Sequence, residues 1–317
     1  MGTVKNRNLI LIGFNTDYQR MEVEELSNTY NVYHIVMNKF LYFFLSKINN
    51  VFFTRYAAGK YYKNIRRKLG IESYTVVVTD DPIDIYAISA FKKDDIRVLM
   101  RNSILSNERL LAWVSKYLVF SFDSLDCDKY GFNLMSQYIP NRNIVQSYAG
   151  GGNEFDFFFL GMDKGRKRTL HLLSSQLHEM NYVTNFQLKY SPKGLAQKLD
   201  KWINKNEKYG MLSYKDNLHM ASKSKCIVEI VQEGQSGITL RTLEAAFLKK
   251  KLITNNMSIL DSELFNDANV MYLDRCDAVD ENILDKFMGQ PYSDYSEEIL
   301  MKYTITHNMK FIIAGFS

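Results

Sequence analysis

The stretch from Val228 to Asn256 reads VEIVQEGQSGITLRTLEAAFLKKKLITNN, and it decides the fold of the second half of the chain. It opens as a buried strand, becomes polar and glycine-rich, turns amphipathic near Thr239 and ends in a second apolar run. A strand, a loop, a helix and a further strand in this order are typical of α/β proteins with parallel sheets.

The same alternation extends along the rest of the chain. The predicted strands span residues 8–14, 30–37, 74–80, 96–102, 116–123, 155–161, 185–190, 226–231, 251–255 and 269–273. The predicted helices span residues 18–28, 40–69, 83–92, 106–113, 165–180, 193–206, 214–222, 239–249, 280–288 and 294–313. The segment SYAGGGNE separates two halves that each begin with a strand, so we predict two Rossmann-like domains. Ligands of such sheets bind beyond the carboxyl ends of the strands.

The composition excludes several classes of protein. The 317 residues are 46% apolar and 24% charged, which suits two soluble domains with their own cores. The net charge of +5 favours an anionic ligand or surface, and no nucleic-acid-binding motif accompanies it. Cys127, Cys226 and Cys276 lie far apart, which indicates a reducing compartment. The histidines lack metal-ligand spacing, and no apolar run approaches the roughly 18 residues of a membrane span.

The loop QEGQSG and the following helix start form a predicted anion site. Gly234 and Gly237 let the backbone approach a ligand closely, and the first N–H groups of a helix attract anions. Arg241 lies in the first turn, where a cation opposes the helix dipole unless an anion offsets it. Thr239 can cap the helix or bond a phosphate oxygen, and Glu244 can orient Arg241 or accept ribose hydroxyls. A plain helix cap with a surface Arg–Glu pair is the alternative.

A second turn repeats this pattern within FDFFFLGMDKGRKRTLHLL, residues 155–173. Gly161 ends the predicted strand, Asp163 can cap the helix, and Lys164 and Arg166 begin a run of cations at the helix start. Cations are unfavourable at that end of a helix unless an anion neutralises them. We therefore predict a second anion contact here, and a solvated basic turn is the alternative.

Two segments carry a family resemblance, FFLGMDKGRK and SYKDNLHMASKSKCIVEIVQEGQSGITLRTLEAAFLKKKLITNN. They resemble a group of bacterial glycosyltransferases of lipopolysaccharide-core, O-antigen and capsule synthesis, the RfaS-like group. SFDSLDCDKYGF (121–132) and PYSDYSEEILMKYTI (291–305) are similar to that group as well. The resemblance implies a GT-B fold, in which two Rossmann-like domains face each other across a cleft. It implies an acceptor domain at 1–148, a donor domain at 149–295 and a terminal helix at 296–317 that packs back on the first domain.

The resemblance also implies that a nucleotide sugar binds mainly to the second domain. The predicted donor-binding residues are Gly161, Lys164, Arg166, Tyr214, Glu233, Gly234, Gln235, Ser236, Gly237, Thr239, Arg241 and Glu244. We expect no cofactor beyond this co-substrate and no metal ion, because cations and helix N-termini can neutralise the departing diphosphate.

Arg241 and Asp17 are the predicted catalytic residues. Many retaining GT-B enzymes carry two glutamates in this loop and helix, separated by seven residues. Aligning GITLRTLEA with that pattern puts the second glutamate at Glu244 and the first at Ser236, which is not acidic, so the stereochemistry stays open. An inverting transfer needs a general base. Asp17 follows the first strand and is our choice, and a helix N-cap is its other possible role.

Other carboxylates follow first-half strands. Asp80 and Asp81 come after YTVVV and are further candidates for the base. Asp126 and Asp128 form a DxD pair, which holds a metal in another glycosyltransferase fold class. Here the pair follows a strand among other charges, so we predict a capped, solvated turn and no metal site.

The segment NKFLYFFLSKINNVFFTRYAAGKYYKNIRRK, residues 38–68, interleaves aromatic and basic residues. It predicts either a long helix pair packed on the first sheet or a surface that meets the inner leaflet of the cytoplasmic membrane. A cytoplasmic protein attached peripherally to that leaflet would meet a lipid-linked acceptor there.

These observations favour a glycosyltransferase that moves a sugar from a nucleotide sugar to a lipopolysaccharide, O-antigen or capsule acceptor. The alternative is a catalytically inactive nucleotide-binding or scaffold protein of the same pathway, since the first glutamate is missing. An NAD-dependent enzyme is disfavoured because the first strand precedes GFNTDYQ and not GxGxxG. No nucleic-acid partner is expected.

Overall fold

A computed structural model of the chain describes residues 7–104, 108–190, 212–232, 236–274 and 279–315. The helix predicted over 193–206 and the predicted donor residues Glu233, Gly234 and Gln235 lie outside the described residues. The chain divides into two compact units: Met1–Asn141 with Lys302–Ser317, and Arg142–Met301. The domain bounds predicted at 148 and 295 both fall inside the second of these units.

The first unit is a parallel α/β sheet with helices on both faces. Its strands are β1 (Asn8–Ile12), β2 (Asn31–Ile35), β3 (Thr75–Thr79), β4 (Ile96–Leu99), β5 (Leu118–Ser121) and β6 (Asn133–Leu134). Its helices within the segment Met1–Asn141 are α1 (Asp17–Ser27), α2 (Lys39–Lys47), α3 (Val51–Leu69), α4 (Glu108–Val114) and α5 (Ser124–Tyr130), with 3₁₀ helices at Asp84–Ala90 and Lys93–Asp95. The strand order is β2-β1-β3-β4-β5-β6, and every pairing is parallel.

The second unit repeats the same topology with five strands. The strands are β7 (Phe155–Met162), β8 (Thr184–Lys189), β9 (Ser224–Glu229), β10 (Lys251–Thr254) and β11 (Val270–Tyr272). The described helices are α6 (Arg142–Ser147), α7 (Lys167–Glu179), α8 (Tyr214–Ser222), α9 (Leu240–Leu248), α10 (Glu281–Gly289) and α11 (Glu297–Lys302), with a 3₁₀ turn at Met257–Ile259. The order is β11-β10-β9-β7-β8, again all parallel.

Both faces of each sheet are buried, which explains why the strands are nearly continuous apolar runs. In the first unit, Ile10 and Val78 face a core completed by Tyr62 of α3. The opposite face is closed by the last helix, α12 (Ile305–Ala314), whose Met309 and Ile312 are fully buried. The terminal helix therefore packs on the first unit, as the GT-B resemblance implies.

The prediction of two parallel-sheet α/β halves is confirmed, and most differences lie at helix ends. The helix predicted over 40–69 is two helices, because Asn50 caps a new helix with its side chain. The helix predicted over 83–92 is a 3₁₀ helix. The helix predicted over 294–313 is divided where Thr304 caps α12. Helices α5 and α6 and the short strand β6 were not predicted. No helix among the described residues is long and apolar enough to cross a membrane.

Candidate functional site

The two basic turns singled out in the sequence lie at the carboxyl ends of adjacent strands. β7 and β9 pair in parallel, with Phe157 opposite Cys226, so the turns that follow them meet at one edge of the sheet. The strand order reverses between these two strands, since β8 lies outside β7 and β10 lies outside β9. Open α/β sheets bind their ligands at this switch point, beyond the carboxyl ends of the strands.

The turn after β7 has a fixed backbone. The Asp163 main-chain oxygen accepts from Arg166 N at 2.7 Å, and its Oδ1 accepts from Lys167 N at 2.9 Å. Lys164 and Gly165 take positive φ values of 43° and 85°, a region that suits glycine and costs a lysine some strain. Lys164 is exposed in this turn. The N-cap residue of α7 is Arg166 and not Asp163, which was predicted to cap; Asp163 instead accepts from the first main-chain N–H of the helix.

Arg166 is a half-buried cation at the start of α7. Its Nε is buried and has no hydrogen-bond partner among the described residues. Burial and the nearby charge of Arg241 lower the pKa of Arg166, whereas Glu229 and Asp163 raise it. Two guanidinium groups from two different turns therefore act on each other at the edge of this sheet, which favours a bound anion.

Arg241 joins the start of α9 to the end of β7. Its Nη2 donates to the main-chain oxygen of Leu160, and its guanidinium lies 4.9 Å from the centroid of the Phe159 ring. A Cβ on Gly161 would lie 3.6 Å from that Nη2 and 3.1 Å from the Phe159 ring, so a glycine leaves room here. Sequence reasoning predicted Arg241 at a helix start but could not predict its contact with β7.

The start of α9 is capped as predicted. The Thr239 Oγ1 accepts from Arg241 N at 3.1 Å. Gly237 has φ of 81°, its N donates to Ser258 Oγ at 2.9 Å, and its oxygen accepts from Asn256 Nδ2 at 2.9 Å. Asn256 and Ser258, which follow β10, therefore hold the loop after β9 in place. Ser236 is half-buried in the same loop.

A buried carboxylate at the end of β9 was missed by sequence reasoning. Glu229 Oε1 accepts from the Thr239 hydroxyl and from Thr242 Oγ1, the latter at 3.1 Å, and its Oε2 accepts from Thr254 Oγ1 at 2.6 Å. An acidic residue within the apolar run CIVEIV was the available signal, because a buried carboxylate needs hydrogen-bond partners. Glu229 links β9, β10 and α9, and its charge acts to raise the pKa of Arg166.

Replacing Glu229 with leucine is expected to destabilise the protein by about 3 kcal/mol, because three threonine hydroxyls lose their charged acceptor. Glu229→Gln is the matched control, since it keeps the volume and one acceptor oxygen, and it should cost about 1 kcal/mol. Urea unfolding of the two variants and the wild type measures the difference. A leucine variant as stable as the wild type would contradict this role.

Glu244 lies on the buried face of α9, one turn after Arg241. Burial raises the pKa of Glu244 to about 7, while Arg241 and the hydrogen bonds from Tyr214 and Asn217 lower it. Asn217 Nδ2 lies 3.4 Å from Glu244 Oε1, and Tyr214 is buried at the start of α8. The predicted donor residues Tyr214, Arg241 and Glu244 are therefore neighbours. Glu244 can carry a proton near neutral pH, which suits acid–base chemistry or a switchable hydrogen bond.

Glu244 also predicts how stability depends on pH. Its pKa rises from about 4.5 in the unfolded chain to about 7 in the fold, so the folded state binds the extra proton and stability falls as pH increases through this window. The loss amounts to roughly 3 kcal/mol between pH 4.5 and pH 7. Glu244→Gln removes this titration. The free energy of unfolding of the variant, measured in urea, should therefore increase relative to that of the wild type as pH rises. A constant difference from pH 5 to pH 8 would contradict the raised pKa.

In the first unit, Asp17 is exposed in the first turn of α1 and is not the cap. Thr16 is the N-cap, and it forms a capping box with Gln19. The N-cap alternative for Asp17 is therefore wrong, and its proposed catalytic role stays a prediction.

The buried carboxylate near the end of β1 is Asp84, which accepts from Asn15 Nδ2 at 2.5 Å and from the Tyr62 hydroxyl.

The carboxylates after β3 accept hydrogen bonds from nearby side-chain and main-chain donors. Burial and the neighbouring Asp81 raise the pKa of Asp84 to about 6. Asp81 accepts from the Tyr42 hydroxyl at 2.9 Å and from two main-chain N–H groups. Asp80 accepts from Asn102 N at 3.2 Å. Asp80 also lines a groove of about 1050 Å³ in this unit.

The DxD pair lies in α5, where Asp126 is buried and Asp128 is exposed. Asp123 caps α5, and Asp126 in that helix is buried and accepts from Ile104 N at 2.7 Å. The prediction of a solvated turn is wrong for Asp126, because its carboxylate closes the loop after β4. No cluster of metal-ligating side chains was found in the part of the chain that the structure describes.

Comparison with known proteins gives structural likeness alone. A scan against protein-family models and a search of curated proteins both found no match. A glycosyltransferase from Rickettsia africae matches at a TM-score of 0.54 and 11% identity, over 99% of this chain and 100% of its own. A UDP-forming trehalose-phosphate synthase from Burkholderia xenovorans matches at a TM-score of 0.51 and 10% identity, over 97% of this chain and 95% of its own.

A third match is a chain from Listeria monocytogenes described as a UDP-N-acetylglucosamine 2-epimerase. Its TM-score is 0.51 at 9% identity, over 98% of this chain and 94% of the other. At such identities the likeness shows the fold and does not select the lipopolysaccharide-core group. Together with the two parallel sheets and the returning terminal helix, the matches show that this chain has a GT-B-type fold.

Proposed function

We propose that this protein is a nucleotide-sugar-dependent glycosyltransferase whose donor diphosphate binds between the β7–α7 turn and the start of α9. One observation carries the proposal: Arg166 and Arg241 are half-buried cations from two turns, within electrostatic reach of each other at the switch point of the second sheet. Two such guanidinium groups repel each other, and a diphosphate would reverse that cost.

The chemistry required of these residues is stabilisation of the leaving group. Breaking the bond between sugar and diphosphate leaves negative charge on the phosphate oxygens, and fixed cations beside it lower the barrier. The N-termini of α7 and α9 add partial positive charge at the same edge. These groups neutralise the diphosphate without a metal ion in this proposal, and the loop residues Glu233, Gly234 and Gln235 are proposed to complete the donor site.

The acceptor is proposed to bind the first unit. The groove that Asp80 lines lies beyond the carboxyl end of β3 and also has Tyr86 and Trp113 in its wall. Aromatic rings flank the apolar faces of sugars and lipid chains, which suits a saccharide or lipid-linked acceptor of bacterial surface polysaccharide. Asp17 remains the proposed base, and Asp80 is the alternative that lines the groove.

A nucleotide-sugar epimerase is the second candidate, because the Listeria chain with that description matches over 98% of this chain. Burial raises the pKa of Glu244 to about 7, a value that suits a general acid or base at neutral pH. An epimerase needs no second substrate, so the two candidates differ in their need for an acceptor.

Product analysis separates the candidates. The purified protein would be incubated with UDP-, GDP-, dTDP- and CMP-linked sugars, with and without a bacterial lipid-saccharide extract, and the nucleotides resolved by chromatography and NMR. Transfer predicts a free nucleotide whose release accelerates with the extract. A nucleotide sugar of altered configuration would identify an epimerase, and unchanged donors that still bind would identify an inactive binding protein.

A further inference from the structure

The surface formed by α2 and α3, residues 39–68, combines exposed aromatic rings with positive charge. Residues 26–71 contain no aspartate or glutamate. Within this range the basic residues are Lys39, Lys47, Arg55, Lys60, Lys63, Arg66, Arg67 and Lys68. A net charge of +8 over thirty residues gives this α2–α3 surface a strongly positive potential, whereas the whole chain carries only +5.

Large apolar side chains on this surface point away from the core. Phe40 is 84% exposed and Phe52 is 83% exposed. The other exposed members are Phe43, Phe44, Val51, Phe53 and Tyr56. Single exposed apolar residues are common, but seven of them on one helix pair form a patch of the kind that binds a partner or a membrane.

The two helices are anchored from behind, so the exposed face is a fixed feature of the fold. Leu45 of α2 and Ala58 and Tyr62 of α3 are buried in the first-unit core. The Tyr62 hydroxyl donates to the buried Asp84 carboxylate. Repacking the exposed aromatics inward would therefore require these core contacts to break.

Cations and aromatic rings are paired on the surface. Lys47 Nζ lies 5.3 Å from the Phe43 centroid, and Lys60 Nζ lies 5.9 Å from the Tyr56 centroid. This arrangement lets an aromatic ring enter the headgroup region while the ammonium group reaches lipid phosphates.

We infer that the α2–α3 surface docks on a lipid bilayer that contains anionic phospholipids. The helices lie in the interface plane, the aromatic rings enter the boundary between headgroups and acyl chains, and the basic residues bind phosphates. Charge complementarity favours this occupant, because a bilayer offers both an apolar layer and dense negative charge. The inference does not rest on the transfer reaction, since vesicle binding requires no nucleotide sugar.

Vesicle flotation tests the inference with the full-length protein. Phosphatidylcholine vesicles containing about 30% phosphatidylglycerol should carry the protein upward at 50 mM salt, and vesicles of phosphatidylcholine alone should bind it far more weakly. Raising the salt to 500 mM should weaken the binding, because the Debye length falls to a few ångströms.

Matched triple variants locate the binding surface. Lys47→Glu, Lys60→Glu and Lys63→Glu together should lower the partition constant by roughly 100-fold or more. The control triple Lys92→Glu, Lys286→Glu and Lys310→Glu makes the same change in net charge at exposed positions elsewhere, and it should change the constant by less than about threefold.

A second pair of variants tests the aromatic part. Phe40→Ser with Phe52→Ser should lower partitioning by about tenfold or more, because two rings no longer leave water. The control Leu125→Ser with Ile283→Ser changes two exposed apolar residues outside the surface and should leave partitioning unchanged. All four variants should melt within a few degrees of the wild type, since none of the replaced side chains is buried.

Three results would overturn the inference. The first is that the α2–α3 surface does not direct binding to anionic vesicles, shown either by absent binding of the wild type or by an equal loss in the control triple. The second is tighter binding to single-stranded RNA than to vesicles at the same salt concentration, which would assign the surface to nucleic acid. The third is a concentration-dependent dimer that Phe40→Ser with Phe52→Ser dissociates, which would assign the surface to a second copy of the chain.

Discussion

Arg241→Ala is expected to lower the rate of sugar transfer by about 100- to 1000-fold, the usual effect of removing one group that stabilises a developing anion. Arg241 projects from the first turn of α9 to the end of β7, beside Arg166. Its guanidinium would bind the departing diphosphate most tightly when the bond to the sugar is breaking. The turnover number should therefore fall more than the Michaelis constant for the donor rises.

Two further variants distinguish the specific geometry of Arg241 from a general effect of positive charge. Arg241→Lys keeps the charge but cannot contact both phosphate and the Leu160 oxygen in the same geometry, so it should recover only part of the rate. Arg168→Ala removes an exposed cation two residues beyond Arg166 and should leave the rate within about threefold of wild type. Equal losses in Arg168→Ala and Arg241→Ala would show that the basic turns act only through general charge.

Glu22→Ala is expected to destabilise the first unit by about 3–5 kcal/mol, because it leaves the buried guanidinium of Arg101 without its carboxylate. Both side chains are almost fully buried and form an ion pair between α1 and the segment after β4. The Arg101 guanidinium also donates to the Tyr138 hydroxyl and lies 5.1 Å from the centroid of that ring. Urea unfolding of the purified variant measures the loss.

The double variant Glu22→Leu with Arg101→Met provides the control. Replacing both charges with apolar groups of similar size removes the unpaired cation, so the double variant should recover most of the stability lost in Glu22→Ala. With the single variants Glu22→Leu and Arg101→Met also measured, the cost of the double variant minus the two single costs gives the coupling energy. A cost below about 1 kcal/mol for Glu22→Ala would contradict a buried, mutually dependent pair.

The strands and their parallel arrangement could be predicted from the sequence because both faces of each sheet are buried. CIVEIV and FDFFFLG are apolar runs followed by turns, and both are strands in the structure. Helix ends were harder to predict, because a cap depends on one side chain. Asn50 interrupts a continuous helical pattern by accepting from Phe53 N, and Thr304 similarly starts α12.

Only part of the candidate site could be predicted, because the sequence indicates local features and not contacts between distant elements. Residues near a helix start can be recognised locally, which is why Thr239 and Arg241 could be assigned to the start of α9. Contacts between elements far apart in sequence cannot be recognised this way. The bond from Arg241 to Leu160 joins residues 81 positions apart, and the threonines around Glu229 come from the start of α9 and from β10.

The sequence also could not predict which side chains of the segment 38–68 are exposed. The segment 38–68 fits a buried helix pair and a docking surface equally well, since both need aromatic residues at helical spacing. The structure shows that the helix pair has a buried face and an exposed face: Leu45 and Tyr62 are buried, whereas Phe40 and Phe52 are exposed.

Binding of nucleotides tests the central claim most directly. Thermal unfolding would be followed with UDP, GDP, dTDP, CMP and NADH for the wild type, Arg166→Ala, Arg241→Ala and the control Arg168→Ala. A ligand at 100 times its Kd stabilises the native state by roughly 2.7 kcal/mol. The account predicts that one nucleotide with a phosphate chain raises the Tm of the wild type and of Arg168→Ala but not of the other two variants. No stabilisation of the wild type, or equal stabilisation of all four proteins, would contradict it.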